Sequence, residues 1–389
     1  MARPLPDHRR SRPARASGAS GGARSTNASA PGTTAASLAA SGSGAARVGP
    51  LRALPSVLIG LGVAPRSAFA GTGVDLRVFE NPDNRIAYSD LGRLLSACAT
   101  AADCDHIGLL VGERFALGDF GAMGYLIRNS ATVGDALREL LLHLYRYDRV
   151  AVPVVMRPEA SIALLAYSIH HHDVPGTRQV LDVAVTIGYR LMRELCGESW
   201  KPMLVQFSYG RPRNVAAYRR LFGAAVRFDA EVSGLAFRAS WLEHPVAGAD
   251  PALRELVTRA IQGAAADDPM RFPDEVQCVL HQLLLSGVAS ADNVARFFGI
   301  SERTLRQRLH AEGAGLQPLL DQTRRELAQQ LLRNTELPLA EIAATLHYAD
   351  PSVFSRAFRK WTGESPSRWR ATRRKATVEI RSHRSDRPL

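Results

Sequence analysis

Cysteine is scarce: the 389-residue chain holds four, Cys98, Cys104, Cys196 and Cys278. None belongs to a CxxC pair, and no histidine cluster sits at zinc-finger spacing. This argues against a disulfide scaffold and a zinc site, and points to free thiols in a reducing compartment. Long apolar runs are also missing. No stretch reaches the roughly 18 residues that a membrane span needs, so no membrane partner is expected. One region imitates an export signal, with Arg9-Arg10 upstream, a mildly apolar Leu54–Val63 and an Ala68-Phe69-Ala70 site. The twin arginine stands about 40 residues too early, and Pro55, Gly60 and Gly62 interrupt the apolar stretch, so it reads as folded sequence. There is no nucleophile elbow, phosphate loop or paired-carboxylate signature, so no catalytic residue, cofactor or metal is assigned.

What is abundant is positive charge, +12 overall, but its location decides its meaning. Residues 1–50 carry seven Arg against one Asp, and 371–389 carry six basic and two acidic side chains. Residues 290–370 hold twelve basic and nine acidic, whereas 51–289 hold 24 and 25. The middle of the chain therefore has no polyanion-binding character, and any nucleic-acid argument rests on the C-terminal pattern.

Residues 1–49 are Ala, Ser, Gly, Arg, Pro and Thr with few large apolar side chains, and read as a disordered basic tail, as do residues 371–389. Between 51 and 245 the patterns mix. Helices are expected around 54–61, from a Ser89 cap through Cys98, at 132–147, at 176–196 and at 214–222. A hairpin of 150–157 and 161–169 and strands at 203–209, 225–228 and 234–238 are also expected. Without a βαβ rhythm this is an α+β domain. Pro245, Gly248 and Pro251 mark its end, and 246–286 reads as a helical linker.

Three constellations in this domain are weighed and set aside. His170-His171-His172-Asp173 could be a metal site, but successive strand residues point to alternate sides, so a strand-end polar turn is favoured. Cys98 and Cys104 could be a redox pair, but read as ordinary core thiols. Tyr145, Tyr147 and Tyr167 could line a pocket, with ordinary packing the simpler reading.

Residues 287–370 are all helical and contain two helix-turn-helix patterns. In the first, a helix at 292–298 buries Val294, Ala295 and Phe298, Gly299 supplies a left-handed turn, and Ser301 caps a helix at 302–312. Leu305 and Leu309 point inward, leaving Arg303, Arg306, Gln307 and Arg308 outward. In the second, Leu339, Ile342, Ala343 and Leu346 form one face, and a four-residue turn begins at His347. Asp350 then caps a helix with Pro351 at its first position. Val353 or Phe354, with Phe358 and Trp361, faces inward. Ser352, Ser355, Arg356, Arg359 and Lys360 lie elsewhere on that helix. A continuous helix at 317–333 spans about 25 Å and would hold the two units nearly one DNA turn apart.

The segments GISERTLRQRLHAEG and LAEIAATLHYADPSVFSRAFRKWTGESPSRWR resemble the two halves of an AraC/XylS-type DNA-binding domain. GERFALGDFGAMGYLIRNSATVGDAL and YRRLFGAAVRFDAEVSGLAFRASWLEHP resemble the arabinose-binding-type effector domain attached to some members of that family. The resemblance implies a transcription regulator whose N-terminal domain binds a small-molecule effector and often dimerises, so that a homodimer is one expected state. Its C-terminal domain would bind double-stranded DNA and act as an activator alongside RNA polymerase, in the cytoplasm at the nucleoid. By position, Arg303, Arg306, Gln307, Ser352, Ser355 and Arg356 would read bases. Thr304, Arg308, Arg359, Lys360, Arg368 and Arg370 would hold phosphates. The family usually has glycine where this chain has His347, so that histidine must accept a left-handed turn. Two other readings stay open: a small-molecule enzyme in 51–245 regulated by the helical region, and a constitutive regulator that needs no ligand.

Overall fold

A computed structural model describes residues 45–147, 151–169, 176–265 and 271–373. The His170–Asp173 cluster and the side chains of Tyr145 and Tyr147 lie outside the described residues, as do 1–44 and 374–389.

The fold is an N-terminal domain of helices and a mixed sheet, followed by a helical domain. Order begins earlier than Leu51. Strand β1 (Ala45–Arg47) pairs antiparallel with β2 (Arg85–Ala87), and Val48 and Gly49 are buried. The Ala- and Arg-rich composition that marked 1–49 as a tail therefore conceals a strand whose support comes from a partner 40 positions away. Helix α1 (Leu54–Gly60) buries Leu54, Val57 and Leu58, and α2 (Pro65–Phe69) buries Ala68 and Phe69. The stretch that imitates an export signal thus contributes side chains to the core, while Ile59 and Leu61 stay exposed.

Helix α3 (Tyr88–Ala101) buries Leu91, Leu94, Leu95 and Cys98 on one face. Its N-cap is Ala87, not Ser89, because the chain leaves β2 directly into the helix; the Ser89 hydroxyl instead bonds Asp90. Helices α4 (Ile107–Glu113), α5 (Ala122–Arg128) and α6 (Val133–Tyr147) complete the layer before the sheet. The hairpin β3 (Ala151–Glu159) and β4 (Ile162–Ile169) is followed by α7 (Thr177–Cys196), β5 (Leu204–Gln206), α8 (Val215–Phe222), β6 (Ala225–Arg227) and β7 (Ser233–Arg238). The strand order is β3-β4-β7-β5-β6, antiparallel except for the β5–β6 pair.

Strand β4 joins two cores. Side chains alternate along a strand, and here both faces are buried. Ala163, Leu165 and Ile169 join the N-terminal core with α7, while Leu164 and Ala166 join a second core with the helical domain.

After α9 (Pro251–Ala265), α10 (Phe272–Leu285) is not a linker. It packs Val276, Val279 and Leu280 against Val294 and Ala295 of α11 (Ala291–Phe297) and Leu305 and Leu309 of α12 (Glu302–Ala311). Cys278, Leu284 and Leu285 of the same helix join the core shared by the sheet and the second unit. The helical domain therefore begins at Phe272, because a bundle of two short helices needs a third to close its core. Helix α13 (Leu316–Asn334) is shared. Leu319 belongs to the first unit, and Leu327, Ala328, Leu331 and Leu332 to the second, with α14 (Leu339–Thr345), α15 (Pro351–Thr362) and a last helix, α16, at 366–373. Helix α16 carries the order past 370, where the sequence pattern ended it.

Candidate nucleic-acid interface and effector cavity

The first unit is built by local chemistry. The Ser290 Oγ accepts from the Asn293 N–H at 3.1 Å and starts α11. The chain reverses at Gly299 with φ of 63°, a conformation that side chains resist. The Ser301 Oγ then accepts from the Thr304 N–H at 3.1 Å and starts α12; such a cap is worth about 1 kcal/mol. With Leu305 and Leu309 buried, Arg303, Arg306, Gln307 and Arg308 stand exposed. Phe298, expected inward, is only half-buried at the helix end. Arg306 pairs with Glu302 at 3.0 Å along the same face. Both groups are solvated, so the pair is weak and the guanidinium is easily released to another acceptor. Arg308 lies 5.6 Å above the Phe272 ring, and the Thr304 hydroxyl bonds Ser301.

The second unit repeats the pattern with one substitution. His347 has φ of 57°, the left-handed turn that its position demands. Its Nε2 donates to the Leu284 carbonyl at 2.7 Å, tying the turn to α10. Asp350 accepts from the Ser352 N–H at 2.6 Å, and Pro351 opens α15. Phe354 and Phe358 are buried and Val353 is 40% exposed, so Phe354 is the inward residue of that pair. Trp361 is half-buried. Arg356, Arg359, Lys360 and Arg368 are exposed; Ser352 is exposed with its hydroxyl on Asp350; Ser355 is half-buried. Arg370 differs from the others. It is half-buried, and its Nη2 donates to the Leu337 carbonyl at 2.6 Å. That contact makes it a strut between α16 and the segment before α14.

Glu326 sits inside the shared helix, accepting from the Gln277 and Gln322 amides at 3.1 and 2.9 Å. Burial pushes its carboxyl up to about 7. The Gln277 contact ties α13 to α10, so the rod between the two units is braced.

In the N-terminal domain a cavity of about 100 Å³ opens between β1, α3, α6, α7 and the sheet. Its walls are mostly Leu, Val, Ala and Ile, with Arg47, Tyr88 and Tyr167 supplying polarity. The Tyr88 and Tyr167 hydroxyls lie 2.7 Å apart, and Arg47 pairs with Asp83 and donates to the Phe120 carbonyl at 3.2 Å. Tyr167 thus lines a cavity, where the sequence favoured plain packing. Behind α7, Asp182 accepts from the hydroxyls of Tyr218, at 2.8 Å, and Tyr209. Complete burial raises Asp182 to about 7. All four cysteines are buried, and burial pushes the Cys98 and Cys196 thiols up to about 12, which makes them poor nucleophiles. Among the described residues no group of three or more His, Cys, Asp or Glu could hold a metal ion.

Residues 294–372 match the family model of a helix-turn-helix domain. Residues 62–246 match the arabinose-binding domain of AraC transcription regulator, N-term. The chain belongs to the AraC-type transcription regulators. It is 29% identical over 322 residues to the ornithine utilization regulator of Pseudomonas aeruginosa, covering 82% of this chain and 94% of that one. It is 28% identical over 280 residues to the transcriptional regulator VirS of Mycobacterium tuberculosis, covering 72% and 82%. The transcriptional activator NphR of a Rhodococcus species is 32% identical over 120 residues, 30% of this chain and 36% of that one. As in its family, this AraC-type regulator carries a DNA-binding helix-turn-helix domain behind an effector-type domain.

In this regulator the two domains share a polar contact that sequence reasoning missed. The Ser168 hydroxyl on β4 is hydrogen-bonded to Nε2 of His281 on α10 at 3.2 Å, and both are buried. The Gly210 N–H donates to the Asn334 carbonyl at 3.0 Å, and the Glu336 N–H to Asp229, also at 3.0 Å. The exposed faces of α12 and α15 remain open to solvent with the domains so packed.

Proposed function

We propose that this AraC-type regulator reads two successive major grooves on one DNA face, with α12 in one and α15 in the next. The observation that carries the reading is that two capped helices, joined by one braced rod, each leave an arginine-bearing face in solvent. The nineteen residues of α13 extend about 28 Å, close to the roughly 34 Å of one DNA turn once helix widths are added. Arg303, Arg306 and Gln307 suit base edges, because Arg can bond guanine and Gln adenine in bidentate fashion. Ser352, Ser355 and Arg356 take the same role in the second groove. Thr304, Arg308, Arg359, Lys360 and Arg368 set the register on phosphates.

The N-terminal domain holds a small-molecule effector whose binding shifts the DNA domain between two states of different affinity. The protein works without catalytic chemistry of its own, as a cytoplasmic, nucleoid-bound activator that meets RNA polymerase, and pairs as a homodimer through its N-terminal domain. Selection of bound fragments from a random duplex library by the full chain is the direct test. The expected result is enrichment of sites with two short motifs spaced by about one helical turn. Uniform retention of all sequences, or one motif alone, would overturn it.

A further inference from the structure

We infer that the N-terminal cavity takes a small amphiphile, a hydrocarbon body with one acidic head, rather than a sugar. The inference rests on the effector reading above and names its ligand class. A sugar carries a hydroxyl on almost every carbon, and each one buried without a partner opposes binding. The described residues lining the cavity offer polar side chains only at Arg47 on β1, Tyr88 at the start of α3 and Tyr167 on β4; the rest of that wall is hydrocarbon. A hydrocarbon chain gains affinity from such a wall in proportion to the area it hides, about fourfold for each methylene.

The head group follows from charge. Arg47 is the one charged residue among the described residues lining the cavity, and its side chain is 9% exposed. Its partner Asp83 is 73% exposed, so that carboxylate loses little by returning to water. A ligand carboxylate takes its place on the guanidinium, in a cavity whose other polar groups among the described residues are the Tyr88 and Tyr167 hydroxyls.

Gly188 of α7 provides the control. A Cβ there would meet only Leu235 and Leu165 side-chain carbons at 3.5 and 3.6 Å, ordinary contact distances facing the cavity. Gly188→Leu should fill the space that the ligand's chain would occupy, and Gly188→Ala part of it.

The test is calorimetric titration of the full chain with hexanoate, octanoate, octanol and arabinose. Octanoate is expected to bind, hexanoate about fifteenfold more weakly, and octanol at least tenfold more weakly than octanoate. Gly188→Leu should abolish octanoate binding while melting no lower than the parent; if it fails to fold, Gly188→Ala should bind octanoate measurably more weakly. Binding of arabinose but not octanoate, binding of neither, equal binding of octanol, or octanoate binding unchanged in the glycine variants would each overturn the proposal. Retention of the library-selected DNA by the same preparation, measured without ligand, keeps the regulator reading apart from this outcome.

Discussion

The hydroxyl of Ser168 and the imidazole of His281 meet at 3.2 Å in a fully buried contact that joins the effector-domain sheet to the first helix of the DNA-binding domain. Burial holds His281 down at about 3, against 6.5 for a free histidine. The packed state therefore keeps this ring neutral, whereas the unfolded chain protonates it as pH falls below 6.5. The stability tied to the neutral ring is present above that point and is lost as pH falls from 6.5 toward 3. Between pH 7 and pH 5 the loss is about 2 kcal/mol. Asp182 and Glu326, both raised to about 7 by burial, act in the opposite sense over the same range, because the folded state takes up their protons first. Only a difference between variants isolates the histidine. His281→Gln keeps a partner for Ser168 and cannot protonate, so its urea-unfolding free energy should fall less than the parent's between pH 7 and pH 5, by about 2 kcal/mol. Parallel pH profiles would show that His281 is protonated, or exposed, in the folded protein.

The two arginine classes predict different failures on DNA. Arg306→Ala should cost about 1–3 kcal/mol on the cognate site and relax preference at one base pair, because a bidentate base contact is lost. Arg359→Ala should weaken cognate and random DNA alike and lower the slope of log affinity against log salt by about one. Competition gel shifts at several salt concentrations measure both. Equal loss by Arg306→Ala on every sequence would move that residue to the phosphate class.

Local chemistry was readable from the sequence where neighbours decide the outcome. The Ser301 and Asp350 caps, the Gly299 and His347 turns and the β3–β4 hairpin all stand where spacing places them. What escaped depends on residues far apart in the chain. The apolar run of β4 fits a strand buried on both faces, but nothing local says that α10 and the second helix-turn-helix unit cover the second face. Helix α10 reads as a linker because composition changes around it, whereas its membership of the DNA-binding domain is set by Leu305 and Leu309, which lie beyond it. The cavity draws on β1, α3, α6, α7 and three strands, so no sequence window contains it. The interior face of α12 was legible for the converse reason, since Leu305 and Leu309 lie one helical turn apart.

His347 balances strain against a bond, and two substitutions separate them. Alanine keeps the cost of a left-handed backbone and loses the 2.7 Å bond to the Leu284 carbonyl. A loss of about 1–2 kcal/mol is expected, since that carbonyl forfeits its partner. Glycine loses the same bond but accepts φ of 57° freely, recovering about 1 kcal/mol. His347→Gly should therefore be more stable than His347→Ala in urea unfolding, despite its smaller side chain. The reverse order would mean that the turn is not left-handed in solution.

Arg368 and Arg370 lie two residues apart on α16 and should fail in opposite ways. Arg368 is exposed, so its removal should leave stability within about 0.5 kcal/mol of the parent. On DNA the same change should lower the salt slope by about one, the signature of a lost phosphate contact. Arg370 is half-buried and holds the Leu337 carbonyl at 2.6 Å. Arg370→Ala leaves that acceptor without this donor and should cost about 1–3 kcal/mol of folding stability. Its salt slope on DNA should match the parent's once enough folded protein is present. If Arg370→Ala instead lowered the slope and left the melting temperature untouched, the guanidinium would be on a phosphate when DNA is bound, and the strut would exist only in the free protein.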